Sequence, residues 1–447
     1  MTAIALFLGG ACSFGPTSRP EGVIVISIDT LRPDYTEPYG AAPGSTPNLA
    51  RFAEDAVVFE HAYAAANETL FSHGALFTAL LPSDVGPLNY DWTIPDEVPT
   101  LAEAFRDGGF KTAAVVAGGH LSRIFGLDDG FEDYVESERW GSFHQTVPMA
   151  VRWLEQRQSN NEPFFLFLHS YDCHSPYTKP GPFRRMALPG YDGPLLQQFF
   201  QIRFYEQIYR GVWYPDFAVS PIQTAKGREV LDPASYAGLA VWAESHTGVP
   251  LTADDQTFLT GSYAAGVLYA DLWLGVFLDE LERLGLDDTT TLVVLSDHGE
   301  GLLDLEFINH RQTLHDPATH VPLLVRKPGL TARRVADVVS LMDVAPTLLG
   351  VAGLPGLPGA RGQSLEGCFE GEACGRAVAP SEGVLNQVSG TDGHTRLIVK
   401  GRPANDPGLN KALVGMDPSL TETWTGAPTA AEQLRIREGL ALARAPR

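Results

Sequence analysis

The decapeptide Thr291–Glu300, TLVVLSDHGE, joins an apolar run to an abrupt change of chemistry. Leu292 to Leu295 reads as a buried strand, which stops at Ser296, Asp297, His298, Gly299 and Glu300. Asp offers a hard oxygen and His a borderline nitrogen, a pairing that suits a divalent metal. The bland alternative is that Asp297 caps a following helix and His298 is incidental. The pattern recurs twice, however. Val23–Ile28 (VIVISI) ends at Asp29, and Phe164–Leu168 (FFLFL) ends in His169-Ser-Tyr-Asp172-Cys-His174. In a parallel α/β sheet the loops after the carboxyl ends of the strands share one edge, where ligands bind. Asp29, Asp172, His174, Asp297 and His298 are therefore expected on one rim.

A hydroxyl stands where such a rim could use it. Ala66-Asn-Glu-Thr69-Leu-Phe-Ser72-His73 leads into an apolar helical run ending near Leu81. A hydroxyl at a helix N-terminus lies beside free amides that favour a bound anion. A neighbouring metal can also turn it into a nucleophile. Otherwise Thr69 or Ser72 simply caps the helix.

The elements that must position these groups alternate. A strand at Val23–Ile28 precedes a helix at Thr46–Asp55, with Pro47 in the first helical turn, and a short strand at Val57–His61. Helices near Ser72–Leu80 and Thr100–Asp107 follow, the second stopped by Gly108-Gly109. Next come a strand at Lys111–Val116, an amphipathic helix at Pro148–Gln158 and the strand Phe164–Leu168. Phe258–Leu284 forms a long helix before the strand Leu292–Leu295, then a strand at Val321–Val325 and a helix at Asp343–Val351. The alternation predicts an α/β layered fold. Residues 175–255 break it with clustered aromatics (Phe199, Phe200, Phe204, Tyr205, Tyr209, Trp213, Tyr214, Phe217). They either roof the rim or pack against the core as an add-on. From about Arg376 the texture changes, with a strand at Thr395–Val399 and a helix at Ala430–Ala443. The expected division is a segment 1–22, a catalytic domain 23–375 and a small C-terminal α+β part, 376–447.

The bulk composition sets limits. A chain of 447 residues that is 44% hydrophobic can bury a large core. Its formal charge of −22 argues against general nucleic-acid binding, which needs a basic face. An anionic substrate remains compatible, because a bound cation can dominate the local field. Cys368 and Cys374 stand close together in a Gly-rich segment, either as a disulfide or as two free thiols. The first residues, with Ala3–Ala11 apolar or small and then Cys12, resemble a bacterial lipoprotein signal. That predicts export to the periplasm or cell envelope, with Cys12 as a lipid anchor point; the apolar part is too short to span a bilayer.

Several motifs, in order, carry a family resemblance: DTLRPDYTEPYG, STPNLARFAED, FEHAYAAANETLFSHGALFTALLPSDVG, PFFLFLHSYDCHSPY, SDHGE and HDPATHVPLLVRKPG. Together, from about Val23 to Gly353, they resemble the sulfatase family of the alkaline phosphatase superfamily. The resemblance implies a large α/β domain with a mostly parallel central sheet and a smaller C-terminal domain with an antiparallel sheet. It implies Asp29, Asp297 and His298 as metal ligands. Thr69 falls at the nucleophile position, where it would also reach the metal. His174 and His310 would bind the anionic group of the substrate. His120, in Gly-Gly-His-Leu, matches a further substrate-binding histidine.

The departures bear on the chemistry. Sulfatases oxidise Cys or Ser at the nucleophile position to formylglycine, and threonine cannot become that aldehyde. Phe71 and His73 replace the signature Pro and Arg, and Thr30 stands where a second metal carboxylate often follows the first. The set Asp, Thr, Asp, His resembles phosphoethanolamine transferases and phosphodiester or phosphonate hydrolases of the superfamily. The resemblance thus favours one Mn or Zn ion, with Ca as the alternative, and a small or glycan- or lipid-linked anionic ester as substrate. In the mechanism this implies, Thr69 attacks in line, while His174, His310 and either His120 or His73 neutralise substrate oxygens or protonate the leaving group. Glu300 either orients the ligands or sits idle in its loop. Group transfer to an envelope acceptor and a non-catalytic binding protein are the competing functions.

Overall fold

Why a single sheet can carry the rim follows from its innermost strand. Every residue of β1 (Gly22–Ile28) is buried, so neither face meets solvent, as expected of a parallel strand covered on both sides. Val23 and Val25 pack into one apolar layer, and Ile24, Ile26 and Ile28 into the other. The computed structural model describes residues 20–193 and 252–445, apart from 90, 138–139, 158–161, 176, 178, 185, 305–308 and 418. It also describes a small ribbon of β6 (Ile222–Thr224) and β7 (Gly227–Glu229). The expectations for the N-terminal lipoprotein-like segment and for most of the aromatic-rich segment fall outside these residues.

The large sheet also contains β2 (Val57–Tyr63), β3 (Lys111–Val116), β4 (Asp133–Glu136), β5 (Phe164–Ser170), β8 (Thr290–Leu295), β9 (His320–Val321), β10 (Leu323–Arg326) and β11 (Arg333–Ser340). Its order is β11-β2-β10-β8-β1-β5-β3-β4, with β9 paired to β2. The strands from β8 to β4 all run parallel, and β10 runs antiparallel to both of its neighbours. Adjacent β8, β1 and β5 are therefore in register at their carboxyl ends, with Ser27 opposite both Leu295 and His169. The chemistry-bearing loops begin one or two residues later. A second, antiparallel sheet of β12 (Ala379–Gly383), β13 (Gln387–Thr391), β14 (Arg396–Lys400) and β15 (Thr421–Thr425) forms the C-terminal part. It has its own core around Leu397, Val399, Leu413, Ile436 and Leu440.

Helix α1 spans Pro47–Ala53 and α2 spans Thr69–Thr78. The latter begins three residues before the expected Ser72, because the chain turns from extended at Glu68 directly into helix. The helix expected at Pro148–Gln158 starts instead at Phe143, with Pro148 inside it. Its early start is capped from a distance: the Asp172 carboxylate accepts the Phe143 N–H at 2.9 Å and the Ser142 hydroxyl at 2.5 Å. The strand expected at Val321–Val325 is divided at Pro322 into β9 and β10. The helix Ala253–Arg283 is long and apolar enough to cross a bilayer by composition. Here it is a packed element, with Phe258, Leu259, Tyr263, Leu274, Phe277 and Leu281 all buried in the core. Cys368 and Cys374 are paired in a disulfide, and Cys173 is a buried free thiol.

Candidate active site

The site forms where β1, β8 and α2 meet. Asp29 follows β1, Asp297 and His298 follow β8, and Thr69 is the first residue of α2. All four are at most 2% exposed. One ligand atom from each of Asp29, Asp297 and His298 lies within 4.8 Å of the others. The Thr69 hydroxyl donates to Asp29 Oδ2 at 2.9 Å and lies 3.3 Å from His298 Nε2.

Local structure fixes these groups with several hydrogen bonds. Thr30 adopts a left-handed backbone conformation (φ 56°), uncommon for a β-branched residue. In that conformation its N–H reaches Asp297 Oδ1 at 3.3 Å, and its carbonyl accepts the Tyr263 hydroxyl at 2.6 Å. The Leu31 N–H donates to Ser296 Oγ, which in turn donates to the His298 carbonyl. The Ser72 hydroxyl donates to the Asp297 carbonyl at 2.6 Å and ties α2 to the loop after β8. A glycine is required at 299, since a Cβ there would lie 2.0 Å from the Pro317 carbonyl oxygen.

The histidine tautomer follows from the partners. His298 Nδ1 lies 2.9 Å from the Gly299 carbonyl, which can only accept, so Nδ1 carries the proton. The neutral ring then presents the Nε2 lone pair to Thr69 and Asp297, as a metal-binding imidazole does. Burial resists charging His298, yet the Asp297 and Asp29 carboxylates outweigh it and raise its pKa. Burial raises that of Asp297, and the Asp29 charge adds to the rise. Two buried carboxylates thus face one imidazole, and Asp297 Oδ2 has no hydrogen-bond partner among the described residues. A divalent cation fits this donor set: it would balance the two carboxylates, occupy that oxygen and displace any proton on His298 Nε2.

The other expected residues divide into two groups. His310 and His174 come to the rim. The His310 ring lies 4.3 Å from that of His298 and 5.5 Å from that of His174, centroid to centroid. Glu300 holds His310 from behind, with Oε1 3.0 Å from Nδ1. His174 donates from Nδ1 to the Ser175 carbonyl at 2.6 Å and stacks on Trp140. His120 is partly exposed in a 3-10 turn. It packs against Trp140, and its backbone N–H donates to the Tyr171 hydroxyl. His73 has a different place from the one expected. It is fully buried beneath the rim, where Nδ1–H donates to the Thr69 carbonyl (2.8 Å) and Nε2 accepts from Ser27 Oγ (3.0 Å). Burial lowers its pKa to about 4, and both ring nitrogens are turned to groups of the protein. Asp172, expected on the rim, is the helix cap described above.

Several neighbours had no part in the expectation. Asn67 donates to the His310 and Thr313 carbonyls, both at 2.8 Å. Glu68 pairs with Arg311 at 2.8 Å. His169 is fully buried with Nε2 3.7 Å from Asp29 Oδ2. Only His169 left a readable signal, as the polar third member of the alternation Phe165, Phe167, His169. The Asn67 and Glu68 contacts depend on a loop more than 240 positions away in sequence.

Several known proteins resemble this chain. The family model described as Sulfatase matches residues 22–354. Human iduronate 2-sulfatase is 23% identical over 427 residues, covering 79% of this chain and 73% of the relative. Bovine arylsulfatase K is 29% identical over 214 residues, covering 46% of this chain and 35% of the relative. Among solved structures, the phosphonate monoester hydrolase of Agrobacterium radiobacter superposes with a TM-score of 0.66 at 18% identity, covering 94% of this chain and 91% of that one. A protein solved with its substrate D-glucosamine-2-N,6-O-disulfate gives 0.67 at 17% identity, covering 94% and 93%.

Proposed function

The chain belongs to the sulfatase family and is an ester hydrolase, and from that premise we propose that it cleaves sulfate or phosphate and phosphonate esters with Thr69 as nucleophile and one divalent ion held by Asp29, Asp297 and His298. The observation that carries the proposal is the Thr69 hydroxyl, fixed at the start of α2 against Asp29 Oδ2 and His298 Nε2. When bound, the ion supplies positive charge that lowers the hydroxyl pKa and polarises a substrate oxygen.

The remaining steps belong to the chain's own groups. Asp29 accepts the Thr69 proton hydrogen bond and so aims an oxygen lone pair outward. Thr69 gives its proton along its hydrogen bond to Asp29 Oδ2 as its oxygen attacks the sulfur or phosphorus, the leaving-group oxygen departs from the opposite side, and an ester on Thr69 results. The first-turn amides of α2 face the anionic centre. His310, braced by Glu300, and His174, braced by the Ser175 carbonyl, stand where they can neutralise oxygens or protonate the leaving group. His120, further out and partly exposed, is suited to contact the remainder of the substrate.

Threonine bears on the choice of ester. Its ester has no elimination route open to it, so water must break it by a second displacement. That route suits phosphorus. Zn or Mn suits the nitrogen-containing ligand set better than Ca. The proposed division into a catalytic part 23–375 and a C-terminal part 376–447 is supported by the separate antiparallel sheet of the latter. An envelope location, with Cys12 as lipid anchor, is part of the same proposal.

The test is turnover of matched nitrophenyl sulfate, phosphate monoester, phosphate diester and phosphonate by the Zn- or Mn-loaded protein. Metal-dependent cleavage of a phosphorus ester supports the proposal. Cleavage of the sulfate alone would overturn the argument from threonine. Retained turnover after complete removal of metal would overturn the role of Asp29, Asp297 and His298.

A further inference from the structure

The His310 ring can serve the site only where its backbone is placed. Glu300 holds the ring from the loop after β8. The same loop pairs with the chain just before His310: the Asn309 N–H donates to the Gly301 carbonyl at 3.0 Å, and the Gly301 N–H donates to the Asn309 carbonyl at 3.3 Å. Both ties come from the β8 side of the site. Asn309 has a left-handed backbone (φ 84°), so the chain bends sharply there. Beyond that bend the backbone meets a different part of the molecule.

That part is the segment leading into Thr69. The Asn67 side-chain nitrogen donates to the His310 carbonyl and to the Thr313 carbonyl, both at 2.8 Å. Asn67 is fully buried, and His310 and Thr313 are at most 4% exposed. Buried carbonyls need a donor, and a carboxamide offers two N–H groups on one nitrogen. One side chain therefore holds the turn from His310 to Thr313 at both ends. The next residue, Glu68, pairs with Arg311 at 2.8 Å inside the same turn. The residue after that is the proposed nucleophile. Residues 67 and 68 thus grip the loop that carries His310, and residue 69 carries the attacking hydroxyl.

We infer that Asn67 is a positioning residue, which keeps His310 in register with Thr69 by holding the His310 and Thr313 carbonyls. It acts through the backbone of His310 and not on the substrate. The inference rests on the proposed role of His310 toward substrate oxygens or the leaving group. A carboxamide two residues before Thr69 makes the nucleophile and that histidine move as one body. Glu300 alone, on the opposite side of the ring, would fix His310 relative to β8 and leave its distance from α2 unset.

The experiment is a double-mutant cycle on the full, Zn-loaded chain, read as kcat/KM for the nitrophenyl ester that the parent cleaves fastest. The variants are Asn67→Leu, which keeps the volume and removes both donors, Asn67→Ser, which keeps one, His310→Ala, and each Asn67 variant combined with His310→Ala. Asn67→Leu is expected to lower kcat/KM by about tenfold to a hundredfold, of the order that displacing a positioned group costs, and Asn67→Ser by less. Neither should lower it further once His310 is alanine. Thermal melts accompany each variant; if Asn67→Leu does not fold, the same comparison is read on Asn67→Ser. A role in folding alone would lower the rate by equal factors in both backgrounds. That result, or parental rates in both Asn67 variants, would overturn the inference. Parental turnover in His310→Ala would instead overturn the role of His310 on which the inference stands.

Discussion

At the scale of single residues the account turns on hydroxyl and imidazole orientation. Thr69 donates one short hydrogen bond to Asp29, so Thr69→Ala removes the attacking oxygen and little packing. Turnover should fall by at least about a thousandfold, of the order seen when a catalytic nucleophile is removed. The melting temperature and bound metal should change little, which calorimetry and metal analysis would check. Glu300 and His310 make a second pair. Glu300→Gln keeps the side-chain shape but leaves His310 without an ionised partner. Loss of general acid–base or charge-stabilising help of this kind costs about a hundredfold or more in rate. A loss smallest for the best leaving groups would mark His310 as the proton donor, equal losses across a leaving-group series would mark it as a neutraliser of substrate oxygens, and no loss at all would contradict both roles.

At the scale of elements the rim depends on tight loops. The loop after β8 passes so close to the turn at Pro317 that Gly299→Ala must displace backbone. A cost of about 1–3 kcal/mol follows from such overpacking, together with weakened metal binding, measured by chemical denaturation and metal titration. A pH effect belongs to β9. Burial lowers the His320 pKa below its usual 6.5, and the ring hydrogen-bonds the Glu60 carbonyl. The unfolded chain therefore takes up this proton before the folded one does. Stability contributed by the neutral ring is present above 6.5 and is lost as pH falls from there through the lowered folded-state pKa. His320→Asn should flatten that slope in denaturation midpoints measured between neutral and mildly acidic pH.

The same scale shows what could be read before the structure. The strands ending at Asp29, His174 and Asp297 were legible because a parallel sheet forces long apolar runs that stop at the functional edge. Thr69 and His298 were legible from type and order. The start of the helix at Phe143 was not, because its cap comes from Asp172, some thirty positions away. The buried place of His73 was not legible for a similar reason: its partners are the Ser27 hydroxyl across the sheet and the backbone one turn earlier, and neither is marked in the sequence. Strands β4 and β11 escaped notice because both lie at sheet edges and carry mixed, half-exposed residues that dilute the alternation.

At the scale of the whole molecule the C-terminal sheet reaches the site through the backbone. In β12 the Glu382 N–H donates to the Ala65 carbonyl, and the Ser381 hydroxyl donates to the Ala64 carbonyl. These residues lead directly into Asn67, Glu68 and Thr69. Glu382 also holds Ser83 and pairs with Arg444 near the chain's end. Breaking a buried pair on one side is costly, so Glu382→Gln should destabilise the protein by about 3 kcal/mol. Turnover per folded molecule should change little, since the Glu382 N–H and the Ser381 hydroxyl that hold the segment before Thr69 survive the substitution; a large turnover loss would contradict this division of roles. The disulfide Cys368–Cys374 closes a short loop, and its reduction should cost about 2 kcal/mol. Such a bond persists in oxidising compartments, which accords with the proposed export.

The central claim is that chemistry passes through an ester on Thr69. The most direct measurement is mass spectrometry of the peptide containing Thr69, after acid quench of the metal-loaded protein turning over a nitrophenyl phosphorus ester. The account predicts an adduct of one phosphoryl or phosphonyl group on Thr69, present during turnover and absent from Thr69→Ala, which is inactive. Full turnover by Thr69→Ala, with no adduct on the parent protein at any time, would contradict it and point to direct attack by water.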